Sequence, residues 1–152
     1  MFSLLAISSA SALVIGGFQF EIERLAQDFH QHNFTDETFY FNVLKEITVV
    51  SDCKGLLEGE DLVAYTKVSG YPTTCTPAAY LSDAKFELHE SKMGVFPTGL
   101  NITYPPLTAQ NQGVEFIFNC NRIIKRTVFR TVDGVYRIVW DHPTACARRA
   151  PS

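Results

Sequence analysis

Downstream of residue 38 the apolar positions gather in short runs rich in aromatic and β-branched residues, FYFNVL, ITVV, LVAYTKV, AKFELH, LNITY, VEFIFNC, RTVFRTV and VYRIVW. Runs of this kind predict short strands, in which successive side chains point to opposite faces of a sheet. Between them stand Gly55, Gly59, Gly70-Tyr71-Pro72, Pro97, Pro105-Pro106 and Asp133-Gly134, all residue types that favour turns. Asp133-Gly134, between RTVFRTV and VYRIVW, is the best hairpin signal. In VYRIVW the alternation sets Tyr136, Ile138 and Trp140 on one face and Val135, Arg137 and Val139 on the other, and Trp140 is expected in the core. Upstream the pattern changes. Ile22, Leu25, Ala26 and Phe29 recur at helical spacing with Glu21, Glu23, Arg24 and Gln27 between them, which predicts one helix within residues 18–32. The expected architecture is all-β, an antiparallel sandwich or flattened barrel with a short N-terminal helix.

Composition narrows the class. With 152 residues, 46% hydrophobic and 19% charged, the chain suffices for one domain with a real core and is unlike a disordered or fibrous sequence. A formal net charge of −3 supplies no overall attraction for nucleic acid or an anionic membrane surface. No internal repeat, low-complexity tract or interdomain linker interrupts it.

The first 17 residues, MFSLLAISSASALVIGG, carry a short apolar run and the small-residue pattern Ala10-Ser11-Ala12, and are expected to be a secretory signal although no Lys or Arg precedes the run. No later segment approaches the roughly 18 continuous apolar residues that span a bilayer, so the mature protein is expected to be soluble. Four cysteines, Cys53, Cys75, Cys120 and Cys146, fit an oxidising compartment as two disulfides, with three connectivities open. None lies in a CxxC pair, which weakens zinc and redox readings. Two sequons, Asn33-Phe34-Thr35 and Asn101-Ile102-Thr103, are candidate glycosylation sites and point to the same secreted or lumenal setting.

Candidate chemistry is sparse. His30 and His32 would share one face of a strand and could hold a metal, but no third ligand is signalled nearby and the pair lies beside a sequon in what reads as an exposed turn; no metal and no cofactor are expected. The common signatures of hydrolase, NTPase, metalloprotease and dinucleotide chemistry are absent. Glu58, Glu60 and Asp61 cluster in one glycine-flanked loop, which suits a solvated turn better than a carboxylate pair for hydrolysis.

Four segments, in order, carry a resemblance: FYFNV with its aromatic pair before Asn42; GLNITY; GVEFIFNCN ending at Cys120-Asn121; and the closing strand with Tyr136, Ile138 and Trp140, followed by Ala145-Cys146. Together they resemble mannose-6-phosphate receptor homology domains over about residues 38–146. The resemblance implies that family's flattened barrel, a Cys120–Cys146 bridge and with it Cys53–Cys75. It also implies a sugar site of Gln, Arg, Glu and Tyr, of which only Tyr136 stands in place. Thr76 follows Cys75 where the family has Gln, no Arg precedes Cys120 within residues 110–113, and a basic run of Arg122, Lys125, Arg126 and Arg130 replaces the expected Glu. Leu44 replaces the opening-strand Cys, so the third disulfide is missing. A site missing three of four hydrogen-bonding groups loses most of its selectivity.

The expected organisation is therefore a signal over 1–17, a helical appendage over 18–37, a β domain over 38–148 and a tail over 149–152. The resemblance implies a non-enzymatic recognition domain of the endomembrane system, degenerate at the sugar site, binding a protein or glycoprotein partner. The alternatives are a glycan binder with a rearranged set of Gln112, Arg122 and Tyr136, and a small secreted hydrolase using the Glu58, Glu60 and Asp61 loop with a histidine.

Overall fold

The computed structural model describes residues 12–57, 61–90, 95–107 and 113–151. Twelve strands run through them: β1 (Leu13–Ile15), β2 (Phe18–Phe20), β3 (His30–Asn33), β4 (Thr38–Phe41), β5 (Leu62–Val68), β6 (Thr74–Tyr80), β7 (Lys85–Leu88), β8 (Gly99–Tyr104), β9 (Val114–Cys120), β10 (Lys125–Arg130), β11 (Tyr136–His142) and β12 (Arg148–Arg149). They form three open sheets, ordered β10-β11-β9-β8-β7, β3-β4-β5-β6 and β12-β2-β1. The all-β class read from the short runs and the turn residues between them holds; the sheets do not join into a closed barrel.

The helix expected within 18–32 is absent. Residues there form β2, a 3₁₀ turn over Ile22–Leu25 and β3. Tertiary pairing overrides the helical spacing: β2 lies between β1 and β12, and Asn42 takes over the backbone of the next segment, its Oδ1 accepting from Gln27 N–H at 2.9 Å and its Nδ2 donating to Gln27 O at 2.6 Å. Nor is 18–37 an appendage, since Phe20 and Ile22 are fully buried in the main core and β3 pairs with β4. Part of the expected signal is also strand: Leu13–Ile15 is β1, which a cut after Ala12 would leave whole and a cut after Gly17 would remove. Residues 1–11 lie outside the described residues.

The main core lies between the two larger sheets, where Phe39 and Phe41 of β4 and Val63 of β5 meet Leu100, Phe116, Phe118, Ile138 and Trp140. The alternate residues of β4 and β5 are buried too. Tyr40 and Tyr65 stack at 4.8 Å on the outer face, with Ile47 and Cys53 of the following loop closing a second, smaller core. ITVV falls in that loop and forms no strand. Downstream of residue 38 the longest strand missing from the expected runs is β6, TCTPAAY, whose Pro77 is tolerated because β6 is the sheet edge.

Both disulfides read from the resemblance are present, Cys53–Cys75 and Cys120–Cys146. The second follows from an insertion. β11 enters the sheet between its hairpin partner β10 and β9, and runs parallel to β9, so Cys120 comes opposite His142 and the short turn that follows brings Cys146 to 4.4 Å Cα–Cα from Cys120. At the foot of the same sheet Gly99 adopts φ +153°, and a Cβ there would run into the carbonyl oxygen of Phe118.

Candidate functional site

The hairpin at Asp133-Gly134 sets the site. Thr131 N–H donates to Val135 O at 2.9 Å, and this closure brings Arg130 directly opposite Tyr136. Tyr136, Ile138 and Trp140 share the inward face, at 8%, 0% and 6% exposure, as the alternation required. The Tyr136 ring stacks on Phe39 of β4 with centroids 4.5 Å apart and planes 7° from parallel, which aims its hydroxyl along the gap between the two sheets.

At that opening the loop between β3 and β4 supplies Asp36 and Glu37. Glu37 Oε2 accepts from Tyr136 OH at 2.5 Å and from Arg130 Nη1 at 2.8 Å, while Arg130 Nη2 donates to Asp36 Oδ1 at 2.7 Å. The guanidinium also lies 4.8 Å over the ring of Phe34. The Glu37 side chain is only 11% exposed, so its charge is compensated by charge-assisted hydrogen bonds rather than by water. Arg130 beside Asp36 holds that carboxyl below the usual range. Burial, then the bond to Glu37, pushes the Tyr136 phenol well up.

Above this cluster opens a polar cleft of about 240 Å³, lined by Phe34, Thr35, Asp36, Glu37, Thr38, Lys67 and Ser69. Lys67 donates to Asp52 at 2.7 Å, which raises its pKa. Asn33 of the first sequon is exposed at the rim, its Oδ1 accepting from Gln31 and Thr38. Asn101 of the second lies in β8, where its Oδ1 accepts from His89 Nε2 at 2.6 Å.

The structure separates the other residues read from the sequence. Arg122 sits in the turn before β10, at the Lys125 and Asp141 end of the hairpin, whereas Tyr136 starts β11 at the other end. Gln112, Glu58 and Glu60 lie outside the described residues. Asp61 fixes a backbone turn, its carboxylate accepting from Ser82 N–H at 2.9 Å and its carbonyl from Leu81 N–H at 2.6 Å. Thr76 is half-buried on β6.

His30 and His32 lie on a strand and not in an exposed turn, and His30 is buried. Both nitrogens of His30 are engaged: Nε2–H donates to Leu25 O at 2.7 Å and Nδ1 accepts from Arg126 at 3.1 Å. No group of three or more metal-ligating side chains occurs among the described residues.

Glu37 and Arg130 were missed in sequence. Arg130 was legible as the cross-strand neighbour of Tyr136 once the hairpin was placed, whereas only the fold brings Glu37 to it. No family model matches the chain, and no curated protein matches it either. No helix of the described residues is long and apolar enough to cross a membrane.

Proposed function

We propose that this chain is a secreted or lumenal, non-enzymatic recognition domain of the mannose-6-phosphate receptor homology type, degenerate as a lectin, which receives a protein or glycoprotein partner at the cleft over Glu37. The two disulfides support the compartment. One observation carries the reading of the site: Tyr136, Glu37 and Arg130, the group types that would ring a sugar, spend their hydrogen bonds on one another. A mannose entering the cleft would have to break these bonds before making its own, and a buried polar group left unpaired is costly. Catalysis is disfavoured on the same ground. The least exposed carboxylate at the cleft, Glu37, already accepts from Tyr136 and Arg130, so a substrate would have to displace one of them to reach that oxygen. The partner would meet the rim instead, where Thr35, Asp36, Thr38 and Ser69 offer hydroxyls and a carboxylate.

The test is calorimetry of the oxidised chain with mannose 6-phosphate and with a high-mannose glycan, at low and high salt. Binding no better than millimolar, about −4 kcal/mol, is expected. Attraction of the phosphate by the basic run alone should vanish as salt rises. Micromolar binding that survives high salt and is abolished in Tyr136→Phe would overturn the degenerate reading in favour of a glycan binder.

A further inference from the structure

The turn joining β9 to β10 holds two isoleucines out in solvent, Ile123 at 74% and Ile124 at 61% exposure. The turn is braced. Asn121 Oδ1 accepts from Ile123 N–H at 3.0 Å, Asn121 N–H donates to His142 O at 3.4 Å, and the residue before it, Cys120, is tied to Cys146. The side chains therefore project from a fixed support.

On either side of them stand Arg122 and Lys125, both exposed and neither ion-paired with a carboxylate of the described residues. Asp141, the cross-strand neighbour of Lys125, accepts instead from Asn119 Nδ2 at 2.9 Å. The chain as a whole carries −3, so this cationic tip is a local feature that the overall charge conceals. The same end of the sheet carries more exposed apolar surface. Cys120 N–H donates to Thr98 O, and just before Thr98 stand Val95, 58% exposed, and Phe96, with the Arg149 guanidinium 5.6 Å from the Phe96 ring.

The form of this surface decides its occupant. On this turn two apolar side chains stand out in solvent, flanked by two cations that no carboxylate of the described residues pairs. That arrangement suits the boundary of a bilayer, where aliphatic groups enter the acyl region and bases meet anionic headgroups. We propose that the 122–125 turn is a docking tip that seats the domain on an anionic lipid surface. Because Tyr136 and Arg130 lie at the far end of the same hairpin, the cleft over Glu37 would then face away from the bilayer. That orientation matters only if the recognition reading holds; the docking does not depend on it.

Flotation of the oxidised chain with vesicles tests this, using phosphatidylcholine alone and phosphatidylcholine with about one third phosphatidylglycerol. Partition should be about tenfold stronger on the anionic vesicles and should fall as salt rises. Replacing both isoleucines, Ile123→Ser with Ile124→Ser, should weaken partition about tenfold. Arg122→Gln with Lys125→Gln should erase the preference for anionic lipid. All four side chains are exposed, so an unchanged melting temperature verifies that these variants are folded. Tyr136→Phe should bind vesicles as the parent does, which keeps this test separate from the fate of the cleft. Equal partition on the two vesicles, or an isoleucine variant that binds like the parent, would overturn the proposal. Light scattering that shows a dimer lost in the isoleucine variant would overturn it as well, by assigning the tip to a second copy of the chain.

Discussion

Tyr136 donates its phenolic proton to Glu37 across 99 residues of sequence, at 2.5 Å. The bond joins the closing strand of one sheet to the loop that opens the first hairpin of the other, and Arg130 reinforces it on the same carboxylate oxygen. With Arg130, the last residue of β10, it fastens that end of one sheet to the loop after β3, and further along this seam, at the same edges, Arg126 of β10 joins His30 of β3. Side chains do here what backbone pairing would do in a closed barrel.

Tyr136→Phe isolates this seam. The ring keeps its stack on Phe39, and only the donor to a mostly buried carboxylate is lost. Leaving such an acceptor short of a partner should cost about 1–3 kcal/mol, read as a lower urea midpoint with an unchanged slope. A variant as stable as the parent would show that Arg130 alone satisfies Glu37.

The same phenol makes stability fall in alkali. Burial raises the pKa values of Tyr65, Tyr104 and Tyr136 above the ordinary 10.0, and for Tyr136 the bond to Glu37 adds to it. A raised folded pKa contributes stability that is fully present below the unfolded value and lost as pH rises through the folded one, because the unfolded chain releases its proton first. Denaturation midpoints should therefore decline once pH passes 10, and more shallowly in Tyr136→Phe. Equal slopes in the two proteins would remove Tyr136 from the account.

Strand faces were legible in sequence where one neighbour decides them. VYRIVW was read to the residue, because a strand with one buried face must alternate and Asp133-Gly134 fixed its register with β10. The 18–32 segment was misread for the opposite reason. Its apolar residues also fit helical spacing, and what makes Phe18–Phe20 a strand is pairing with Leu13–Ile15 on one side and with Arg148–Arg149, at the far end of the chain, on the other. The parallel pairing of β9 with β11 was equally hidden, since a local pattern cannot reveal that a strand inserts between two others. Of the site, Tyr136 was found through the resemblance, whereas Glu37 has no local mark to distinguish it from any exposed acid in a turn.

Reduction should proceed in two steps. Cys120 is exposed, whereas Cys53 is fully buried in the smaller core, so mild reductant should open Cys120–Cys146 first. The bridges close loops with sequence separations of 22 and 26, which on the chain-entropy estimate contribute about 3 kcal/mol each. Alkylation of the partly reduced protein followed by peptide mapping checks the order. Labelling of Cys53 and Cys75 ahead of the other pair would contradict the burial argument.

Acid should loosen the seam at His30. Its ring is packed against Phe41 and Trp140, its Nε2–H is spent on Leu25 O, and the charged group facing it is Arg126 on β10. Burial, together with the charge of Arg126, lowers its pKa below the ordinary 6.5. A depressed histidine contributes stability that is present above the unfolded pKa and lost as pH falls through the folded one, because the unfolded chain takes up the proton first. His142, lowered by burial, acts in the same direction, whereas Glu23, raised by burial, acts in the opposite one nearer pH 4.5. His30→Phe separates the contributions, since phenylalanine can keep the ring contacts and cannot titrate. The variant should be less stable than the parent near neutrality, having lost two hydrogen bonds. Between pH of about 7 and about 5, however, the parent should lose more stability than the variant, compared by urea denaturation at each pH. If both lose the same amount, His30 is not the group that titrates, and the acid sensitivity belongs to His142.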